Sequence, residues 1–376
     1  MSLKTTDNLL NRLTIEPREY QTRLIEKSLS MYRGTFENSS GQTCSPAKSV
    51  MIESPTGSGK TVMGLSIASC LQQEFGVSVG WVAMRRNLLS QADKELQTRD
   101  FPLEMQLISM FDRNPPSVDL LVVDECQHDA APAMANLHAA VRPNRILGLS
   151  ATPYRTDRVK LCFEHTIRDA GIQELIRLDY LSTFDHYTID EYSPQSVADH
   201  FAREPDHWGQ SLIFFHRTEE CFACKSALAD HGITADVVTA KTDREQQIDA
   251  FEQGKTKVLI SMAILTEGFD CPQLQTVFCR PSSKGCTIQM CGRVLRKWNP
   301  SVRKQLVQCR NTKHPFTKTA EPARQFIWDN GWKNLSFNHD LARVTDTTRM
   351  LVARRRNNLP RYLTQNHGPG GRIRTF

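Results

Sequence analysis

The 376-residue sequence has no long apolar run: nowhere do eighteen consecutive residues stay hydrophobic, so we expect no membrane-spanning helix. Its first twenty residues also lack the basic start and apolar core of a secretory leader, which argues against secretion. We therefore expect an intracellular protein, in the cytoplasm or in a nucleoid or nucleus. The 39% hydrophobic and 23% charged residues are typical of a globular protein with buried cores.

The eleven cysteines do not form the dense framework of a small disulfide-linked secreted domain, and we interpret them as reduced thiols. Cys221 and Cys224 form a C-x-x-C pair, but no second pair follows at zinc spacing. The surrounding segment, TEECFACKSALAD, has the pattern of a single helix. Small buried side chains are therefore favoured over a metal or redox site, which stays as the alternative.

The net charge of +6 is unevenly distributed along the chain. The segment from Lys297 to the end holds 16 basic and 4 acidic side chains, whereas the preceding 296 residues hold 31 basic and 37 acidic ones. Basic side chains displace counterions from phosphates, so this end of the chain suggests a polyanionic partner. A solvated tail explains the same charges, and composition does not decide between the two.

Two stretches of the sequence repeat one theme, in which short apolar strands rich in β-branched residues alternate with amphipathic helices. This alternation is typical of parallel sheets covered by helices. The predicted strands are short apolar runs bounded by polar residues, glycine or proline. They lie at 49–54, 77–84, 118–124 and 145–151 in the first stretch and at 211–216, 235–240, 257–261 and 276–280 in the second.

The sequence thus predicts an α/β protein with two tandem parallel-sheet domains, at residues 1–165 and 181–298. We expect the polar, helical stretch at 166–180 to link them. After the second domain the apolar patterns fade, so 299–376 is interpreted as a basic C-terminal extension, with one helix that carries aromatic residues at 319–335. The last residues are rich in arginine, glycine and proline and are expected to be loosely ordered.

A glycine-rich loop follows the first predicted strand and precedes a clear helical pattern. Gly57 and Gly59 let the backbone curl, so that its N–H groups and the helix N-terminus form a nest for phosphates. Lys60 can reach β- and γ-phosphate oxygens, and the Thr61 hydroxyl suits Mg²⁺. The predicted nucleotide-binding loop comprises Thr56, Gly57, Ser58, Gly59, Lys60 and Thr61. A glycine-rich turn without a ligand is the alternative, which the flanking strand and helix disfavour.

Two carboxylates stand at the end of the apolar run in VDLLVVDECQH. The carboxyl end of a parallel strand faces the ligand crevice, so Asp124 is a candidate Mg²⁺ ligand and Glu125 a candidate base for an attacking water. Neighbours on a strand point to opposite sides. Both side chains serve one nucleotide only if the backbone bends where the strand ends.

These two segments and five others resemble the ordered motifs of the DExH-type helicases and translocases of superfamily 2. The seven segments are PREYQ (17–21), SPTGSGKT (54–61), WVAMRRN (81–87), DECQH (124–128), GLSATP (148–153), LTEGFDCP (265–272) and TIQMCGRVLRK (287–297). The resemblance covers about Pro17 to Lys297 and is strongest to the branch of type III restriction enzymes and DNA-repair helicases, including phage branch-migration helicases. Ser54 departs from the usual pattern by replacing the first glycine of the phosphate loop, and Gln127 by replacing a histidine.

The resemblance implies two RecA-like domains that clamp one ATP with Mg²⁺ and act on nucleic acid. Gln21, whose amide matches adenine N6 and N7, is the implied adenine contact, and the polar start of an amphipathic helix is the alternative. Arg85 and Arg86 stand at a predicted helix start and are the implied contacts to a strand phosphate. Solvated surface arginines are the alternative there.

Further roles are implied for residues of both domains. Three polar side chains are implied to couple the ATP site to the nucleic-acid strand: Gln127, Ser150 and Thr152. The segment TEGFDCP is implied to place Thr266 on the nucleic-acid backbone and to bring Gly268 and Asp270 towards the nucleotide.

The last motif lies on a predicted helix that presents Gln289, Gly292, Arg293 and Arg296 on one face. Two arginines one turn apart can place guanidinium groups against a γ-phosphate. Supplied from the opposite domain, they are implied to act as arginine fingers. A solvated basic helix face is the alternative, but it does not explain the glutamine and the glycine at this spacing.

We therefore expect an ATPase that moves along nucleic acid, with DNA favoured over RNA. No segment stands out as a wedge that splits a duplex, so duplex translocation, branch migration and annealing stay as alternatives to unwinding. A nucleotide-gated binding switch with little turnover is a second interpretation, which the presence of Lys60, Asp124 and Glu125 disfavours. A third is the motor subunit of a restriction or defence complex with a protein partner.

Overall fold

The computed structural model describes residues 17–128, 132–152, 163–239, 241–262 and 271–335, which form two α/β domains on separate, largely parallel sheets. The predicted fold class is confirmed. No helix within these ranges is both long and apolar enough to cross a membrane.

The first domain contains α1 (Glu19–Arg33), β1 (Ser49–Glu53), α2 (Lys60–Phe75), β2 (Val79–Ala83), α3 (Arg86–Thr98), β3 (Met105–Ser109), β4 (Leu120–Asp124), α4 (Pro132–Val141), β5 (Arg145–Ser150) and β6 (His165–Arg168). The linker carries α5 (Ile172–Arg177). The second domain contains β7 (Phe184–Ile189), α6 (Pro194–Arg203), α7 (Pro205–Trp208), β8 (Ser211–Phe214), α8 (Thr218–Asp230), β9 (Ala235–Val238), α9 (Arg244–Glu252), β10 (Val258–Ser261), β11 (Thr276–Cys279), α10 (Lys284–Gly292), β12 (Lys304–Cys309), β13 (Arg324–Trp328) and β14 (Trp332–Asn334). Short 3-10 turns lie at Cys126–His128 and Phe316–Lys318.

The first sheet has the strand order β3-β2-β4-β5-β1-β6, with parallel pairing throughout. Alternate residues of β4 join two different core clusters: Leu120 and Val122 pack on one face, Leu121 and Val123 on the other. Burial on both faces explains why these strands are continuous apolar runs. Because the strands are parallel, the loops after β1, β4 and β5 meet at one edge of the sheet.

The second sheet has the order β14-β13-β7-β12-β11-β8-β10-β9, and only β13 and β14 among these strands pair antiparallel. The predicted domain boundary at residue 298 is wrong, because β12 lies inside this sheet, between β7 and β11. The sequence did not indicate this strand because three of its residues are polar, although they are buried: Lys304, Gln305 and Gln308 are at most 2% exposed. Each is hydrogen-bonded within the domain, which is what permits their burial.

The predicted helix at 319–335 is also wrong, because these residues contribute β13 and β14, a hairpin at the sheet edge. Their aromatic side chains pack on the domain: Phe326 stacks on Tyr187 with 4.6 Å between ring centroids, and Trp332 meets the same ring edge-on at 4.9 Å. The second domain therefore extends to about residue 334. The rest of the predicted basic extension, 336–376, lies outside the described residues.

The linker begins and ends about three residues later than predicted, because residues 165–168 form β6 and pair with β1, and β7 begins only at Phe184. It consists of α5 and a turn in which Asp179 has a left-handed backbone, with φ of 61°. Arg23 of α1 donates two hydrogen bonds to Asp169, at 2.7 and 2.8 Å. The side chain of Gln173 accepts a backbone hydrogen bond from the second domain at 2.6 Å. The linker is thus attached to both domains.

Cys221 and Cys224 lie on α8, as the pattern predicted, and both pack in the core of the second domain. Burial raises the pKa of the Cys221 thiol to about 11 and that of Cys224 to about 12. Both side chains are therefore protonated at neutral pH and behave as small apolar groups.

Candidate active site between the two domains

The phosphate loop, residues 54–59, lies between β1 and α2. Gly57 and Gly59 have φ angles of 81° and 79°, in the left-handed region that favours glycine. Gly59 is the N-cap of α2, and Lys60 is its first residue, with 9% of its surface exposed. Thr61 follows and is half-buried. The backbone therefore curls as predicted, and it ends on the first N–H groups of α2, which lack partners within the helix.

Ser54 closes the base of this loop. Its hydroxyl donates to Ser58 Oγ at 2.7 Å, and its backbone N–H donates to the carbonyl oxygen of Ser150 at 2.9 Å. Thr56 and Ser58 are also buried, with 7% and 0% exposed. A serine in the first position thus ties the two ends of the loop together, which the usual glycine does not do.

The segment predicted to contact adenine packs directly on the phosphate loop. The carbonyl oxygen of Ser58 accepts a hydrogen bond from the Tyr20 hydroxyl at 2.5 Å and another from Gln21 Nε2 at 2.9 Å. Gln21 Oε1 accepts from the N–H of Arg18 at 3.1 Å. A Cβ atom on Gly59 would lie 2.5 Å from Gln21 Nε2, so a larger residue there would have to displace the Gln21 amide, and the φ angle separately favours glycine.

The two carboxylates occupy the end of β4. Asp124 is the last residue of the strand, and Glu125 follows it with φ of 52°. The predicted bend is therefore present, and the N–H of Glu125 donates to Asp124 Oδ1 at 3.0 Å. A left-handed backbone costs a non-glycine residue about 1–2 kcal/mol. Such strain concentrates at functional sites.

Gln127, Ser150 and Thr152 extend a hydrogen-bonded chain from Glu125. Gln127 Nε2 donates to Glu125 Oε2 at 2.9 Å, and Ser150 Oγ lies 2.6 Å from Gln127 Oε1. The Ser150 hydroxyl also accepts from the N–H of Thr152 at 3.0 Å. The residue that replaces the usual histidine therefore joins the carboxylate to the end of β5.

The arginine segment of the second domain departs from its predicted geometry. Helix α10 ends at Gly292, so Arg293 caps the helix and Arg296 lies in the turn beyond it. The prediction of one helical face from Gln289 to Arg296 is wrong in its last turn. Glycine is a weak helix former, and the N–H groups of residues 293 and 294 bond the carbonyls three residues earlier, at 3.3 Å, which tightens the chain.

This arginine segment lies against the phosphate loop of the first domain. A Cβ atom on Gly292 would lie 3.4 Å from Thr56 Cβ, and one on Gly57 would lie 3.4 Å from Arg296 Cγ. Burial lowers the pKa of Arg296 to about 10, and the Glu125 carboxylate acts in the opposite direction. Arg296 is therefore charged at neutral pH and within electrostatic reach of the carboxylate across the cleft.

The predicted nucleic-acid contacts are only partly described. Arg85 is the N-cap of α3 and Arg86 is its first residue, so the predicted helix start is confirmed. Arg86 is exposed and Arg85 partly so. Thr266, Gly268 and Asp270 lie outside the described residues.

The sequence did not indicate one participant, Leu181 of the linker. This side chain is 1% exposed, and its Cδ2 would lie 3.2 Å from a Cβ atom on Gly57. The predicted linker ended one residue before it. Nothing in its spacing or residue type marks it, because the contact joins positions more than a hundred residues apart.

Two known protein families match this chain, one in each of the two domains. Residues 14–108 match the family described as type III restriction enzyme, res subunit, and residues 194–297 match the helicase conserved C-terminal domain. Among solved structures, Saccharomyces cerevisiae Dbp5 bound to RNA and ADP BeF3 has a TM-score of 0.58 at 15% identity, over 87% of this chain and 92% of that one. The ATP-dependent type ISP restriction-modification enzyme LlaBIII bound to DNA has a TM-score of 0.55 at 14% identity, over 81% of this chain and 28% of that one.

Three curated relatives match parts of the chain. A 51.5 kDa protein of Lactococcus phage (isolate 7-9) is 26% identical over 62% of this chain and 59% of its own length. The putative ATP-dependent helicase IRC3 of Saccharomyces cerevisiae is 28% identical over 48% of this chain and 32% of its own length. Putative helicase 22 of Sulfolobus islandicus filamentous virus is 24% identical over 65% of this chain and 57% of its own length. The chain thus spans about one third to three fifths of these relatives.

The fold and the cleft define a class, the proteins in which two RecA-like domains face each other across a phosphate loop. Within that class the chain belongs to the superfamily 2 helicases, in the branch related to type III restriction enzymes.

Proposed function

We propose that this protein is an ATP-dependent helicase or translocase that acts on DNA. The observation that carries the proposal is the approach of Arg296 to Gly57, which sets an arginine of the second domain against the phosphate loop of the first. In a motor of this kind, closure of the domains completes the catalytic site and reopening releases the products. The helicase family of the chain supports the same activity.

The residues of the cleft fit ATP and Mg²⁺. The left-handed glycines of the loop leave its N–H groups to cradle the β- and γ-phosphates, with Lys60 reaching their oxygens. Thr61 and Asp124 would hold Mg²⁺, which would supply positive charge to offset the charge of the phosphates. Gln21 uses one amide N–H on Ser58, and its second N–H suits adenine N7.

In the proposed reaction Glu125 orients a water molecule and takes its proton as the water oxygen attacks the γ-phosphorus. The bond from this phosphorus to the β–γ bridging oxygen breaks, and ADP leaves with the electron pair. Lys60, Arg293 and Arg296 neutralise the charge that develops on the phosphoryl oxygens. Gln127 transmits the state of Glu125 to the end of β5.

The proposed track is the backbone of DNA. Arg85 and Arg86, at the N-terminus of α3, would contact its phosphates together with Thr266. The match of residues 14–108 to a restriction-enzyme family favours DNA. The fold itself is shared with Dbp5 bound to RNA and with LlaBIII bound to DNA, so RNA is an outcome that the test must allow.

A second candidate function is the motor subunit of a restriction or defence complex. The chain covers only 28% of LlaBIII, in which this fold is one part of a larger enzyme. Relatives from a phage and an archaeal virus favour a virus-encoded protein that acts inside its host cell. A subunit of this kind would hydrolyse ATP rapidly only when its partner protein is added.

Steady-state ATP hydrolysis tests the proposal, measured without polymer and with single-stranded, duplex and forked DNA and single-stranded and duplex RNA. Lys60→Ala is the blank, because Lys60 is the phosphate ligand of the loop. We expect strong stimulation by DNA that is absent from Lys60→Ala. Stimulation by RNA alone would indicate an RNA helicase. ATP turnover that is low with every polymer would favour the two alternatives, a nucleotide-gated binding switch or a motor subunit that needs its partner protein.

A further inference from the structure

The linker turn, residues 180–182, contacts nucleotide-binding elements of the first domain and the arginine segment of the second. The ring of Tyr180 lies 5.5 Å from that of Tyr20, and the Arg18 guanidinium lies 4.7 Å from the Tyr180 ring centre. Ser182 follows, and its N–H donates to the carbonyl oxygen of Leu295 at 2.8 Å. Three consecutive residues therefore bridge the two halves of the cleft.

Leu181, in the centre of this turn, meets the phosphate loop at the same point as Arg296. A Cβ atom on Gly57 would lie 3.2 Å from Leu181 Cδ2 and 3.4 Å from Arg296 Cγ. The leucine is 1% exposed, so its side chain packs beside the phosphate loop, at the point that the aliphatic part of the arginine also approaches. A close-packed contact of this kind transmits small shifts of one element to the next.

The backbone holds Leu181 firmly in this position. The N–H groups of Tyr180 and Leu181 both donate to the carbonyl oxygen of Leu175, at 2.8 and 3.1 Å, where α5 ends. The left-handed Asp179 turns the chain there, and its carboxylate pairs with Lys297, just after the arginine segment. A short side chain at position 181 would leave these backbone contacts in place and empty the space beside Gly57.

We propose that Leu181 is a positioning residue that acts through Arg296. By packing beside the phosphate loop, the leucine keeps the Arg296 side chain at the point where it meets that loop. This inference rests on the proposed ATPase function of the same cleft. The linker would then take part in the ATPase cycle, because a shift of the phosphate loop around ATP would displace the leucine and, through it, Arg296. It also predicts that Leu181 affects the catalytic step and not the binding of ATP by the first domain.

The first test compares Leu181→Ala with Leu178→Ala, a matched truncation of a linker leucine that is 42% exposed. For Leu181→Ala we expect kcat to fall about 10- to 100-fold, the size of effect that a small misplacement produces. ATP affinity, measured by titration with a fluorescent ATP analogue, stays within about threefold, an energy difference of about 0.65 kcal/mol. Leu181→Met restores the packing and most of kcat, and Leu178→Ala behaves like the unmodified protein. Loss of ATP affinity equal to the loss of kcat would overturn the proposal.

The second test combines Leu181→Ala with Arg296→Ala in single-turnover hydrolysis. If the leucine acts through the arginine, its removal changes the Arg296→Ala rate by no more than about twofold. The same loss in both backgrounds would mean an independent role and would overturn the inference.

Hydrogen exchange separates this inference from the proposed function, because it needs no turnover. Leu181→Ala should raise amide exchange in residues 54–59 and 293–297, and Leu178→Ala should not. A protein that shows this exchange pattern but no ATP hydrolysis would refute the ATPase and leave the linker contact standing. Unchanged exchange in both segments would refute the contact itself.

Discussion

Glu125 contributes to the cleft through both its backbone conformation and its side-chain hydrogen bond. Its left-handed backbone turns the chain after Asp124, so that two neighbouring carboxylates can serve one nucleotide. Its side chain accepts from Gln127, which in turn meets Ser150 at the end of the adjacent strand. A residue held in this way can act as a base and can also transmit its state to a neighbouring loop.

The substitution Glu125→Gln removes the proposed base and keeps the size of the side chain and an oxygen for Gln127. We expect kcat for ATP hydrolysis to fall about 10²- to 10⁴-fold, the usual contribution of a general base. ATP affinity should remain, because the phosphate ligands are intact. Single-turnover hydrolysis with a parallel nucleotide titration measures both. Asp100→Asn is the control, an exposed acidic residue that shares the left-handed φ of 52°. A variant at position 125 with near-normal kcat would assign the base elsewhere.

Gly59 offers a matched pair with Gly76, since both cap a helix end with a left-handed backbone, at φ of 79° and 64°. Alanine at either position should lower the free energy of unfolding by about 1–2 kcal/mol, because of the backbone alone. Only at Gly59 does the new Cβ meet Gln21, whereas nothing lies within 4 Å at Gly76. We therefore expect Gly59→Ala also to weaken ATP binding. Equal ATP affinity of the two variants in a nucleotide titration would contradict the proposed contact between the two nucleotide-binding segments.

At the scale of elements, the apolar strands of the first domain were predictable and the later strands of the second were not. β4 is a continuous apolar run because both of its faces are buried. β12 is buried too, but Lys304 and Gln308 find partners in Pro272 and His186, far away in the sequence, which no local pattern reveals.

The candidate site, too, could be predicted from the sequence only in part. The phosphate loop and the bend at Glu125 followed from local residue types and spacing, because the chemistry of each is contained in a few consecutive positions. The end of α10 before Arg296 and the contact of Leu181 with Gly57 depend on packing between domains, and they required the structure.

Strand β12 gives a prediction for pH, through the buried Lys304. Its ammonium group donates to the carbonyl oxygens of Pro272 and Leu274, both at 2.6 Å. Burial lowers its pKa from the usual 10.5 to about 8. Between these values the unfolded chain binds more protons than the folded one, so stability due to this group rises with pH from about 8 to 10.5 and is constant below. The upper bound of the effect is about 3 kcal/mol.

Urea unfolding of the protein and of Lys304→Met, at about pH 7.5 and about pH 9.5, measures this effect. We expect the stability of the unmodified protein relative to Lys304→Met to increase at the higher pH. The comparison with the variant cancels the titration of other groups. A relative stability that is flat or falls with pH would show that Lys304 is not buried as a charged group.

At the scale of the whole molecule, the protein consists of two α/β domains with the candidate active site between them. The first domain supplies the phosphate loop and the carboxylates, and the second supplies Arg293 and Arg296. The linker is hydrogen-bonded to both domains and lines the cleft with Leu181. ATP hydrolysis is therefore expected to depend on how closely the domains approach, which is how a motor converts hydrolysis into movement along a strand.

The most direct test of this account is ATP turnover by Arg296→Ala in the presence of the stimulating polymer. We predict that ATP binds with nearly unchanged affinity and that kcat falls on the order of 10³-fold, because the loop is intact and the proposed arginine finger is lost. Arg303→Ala is the matched control, an exposed arginine on the following segment that lies 4.0 Å from Asp185; it should hydrolyse ATP normally. Normal hydrolysis by Arg296→Ala would contradict the claim that the second domain completes the ATP site of the first.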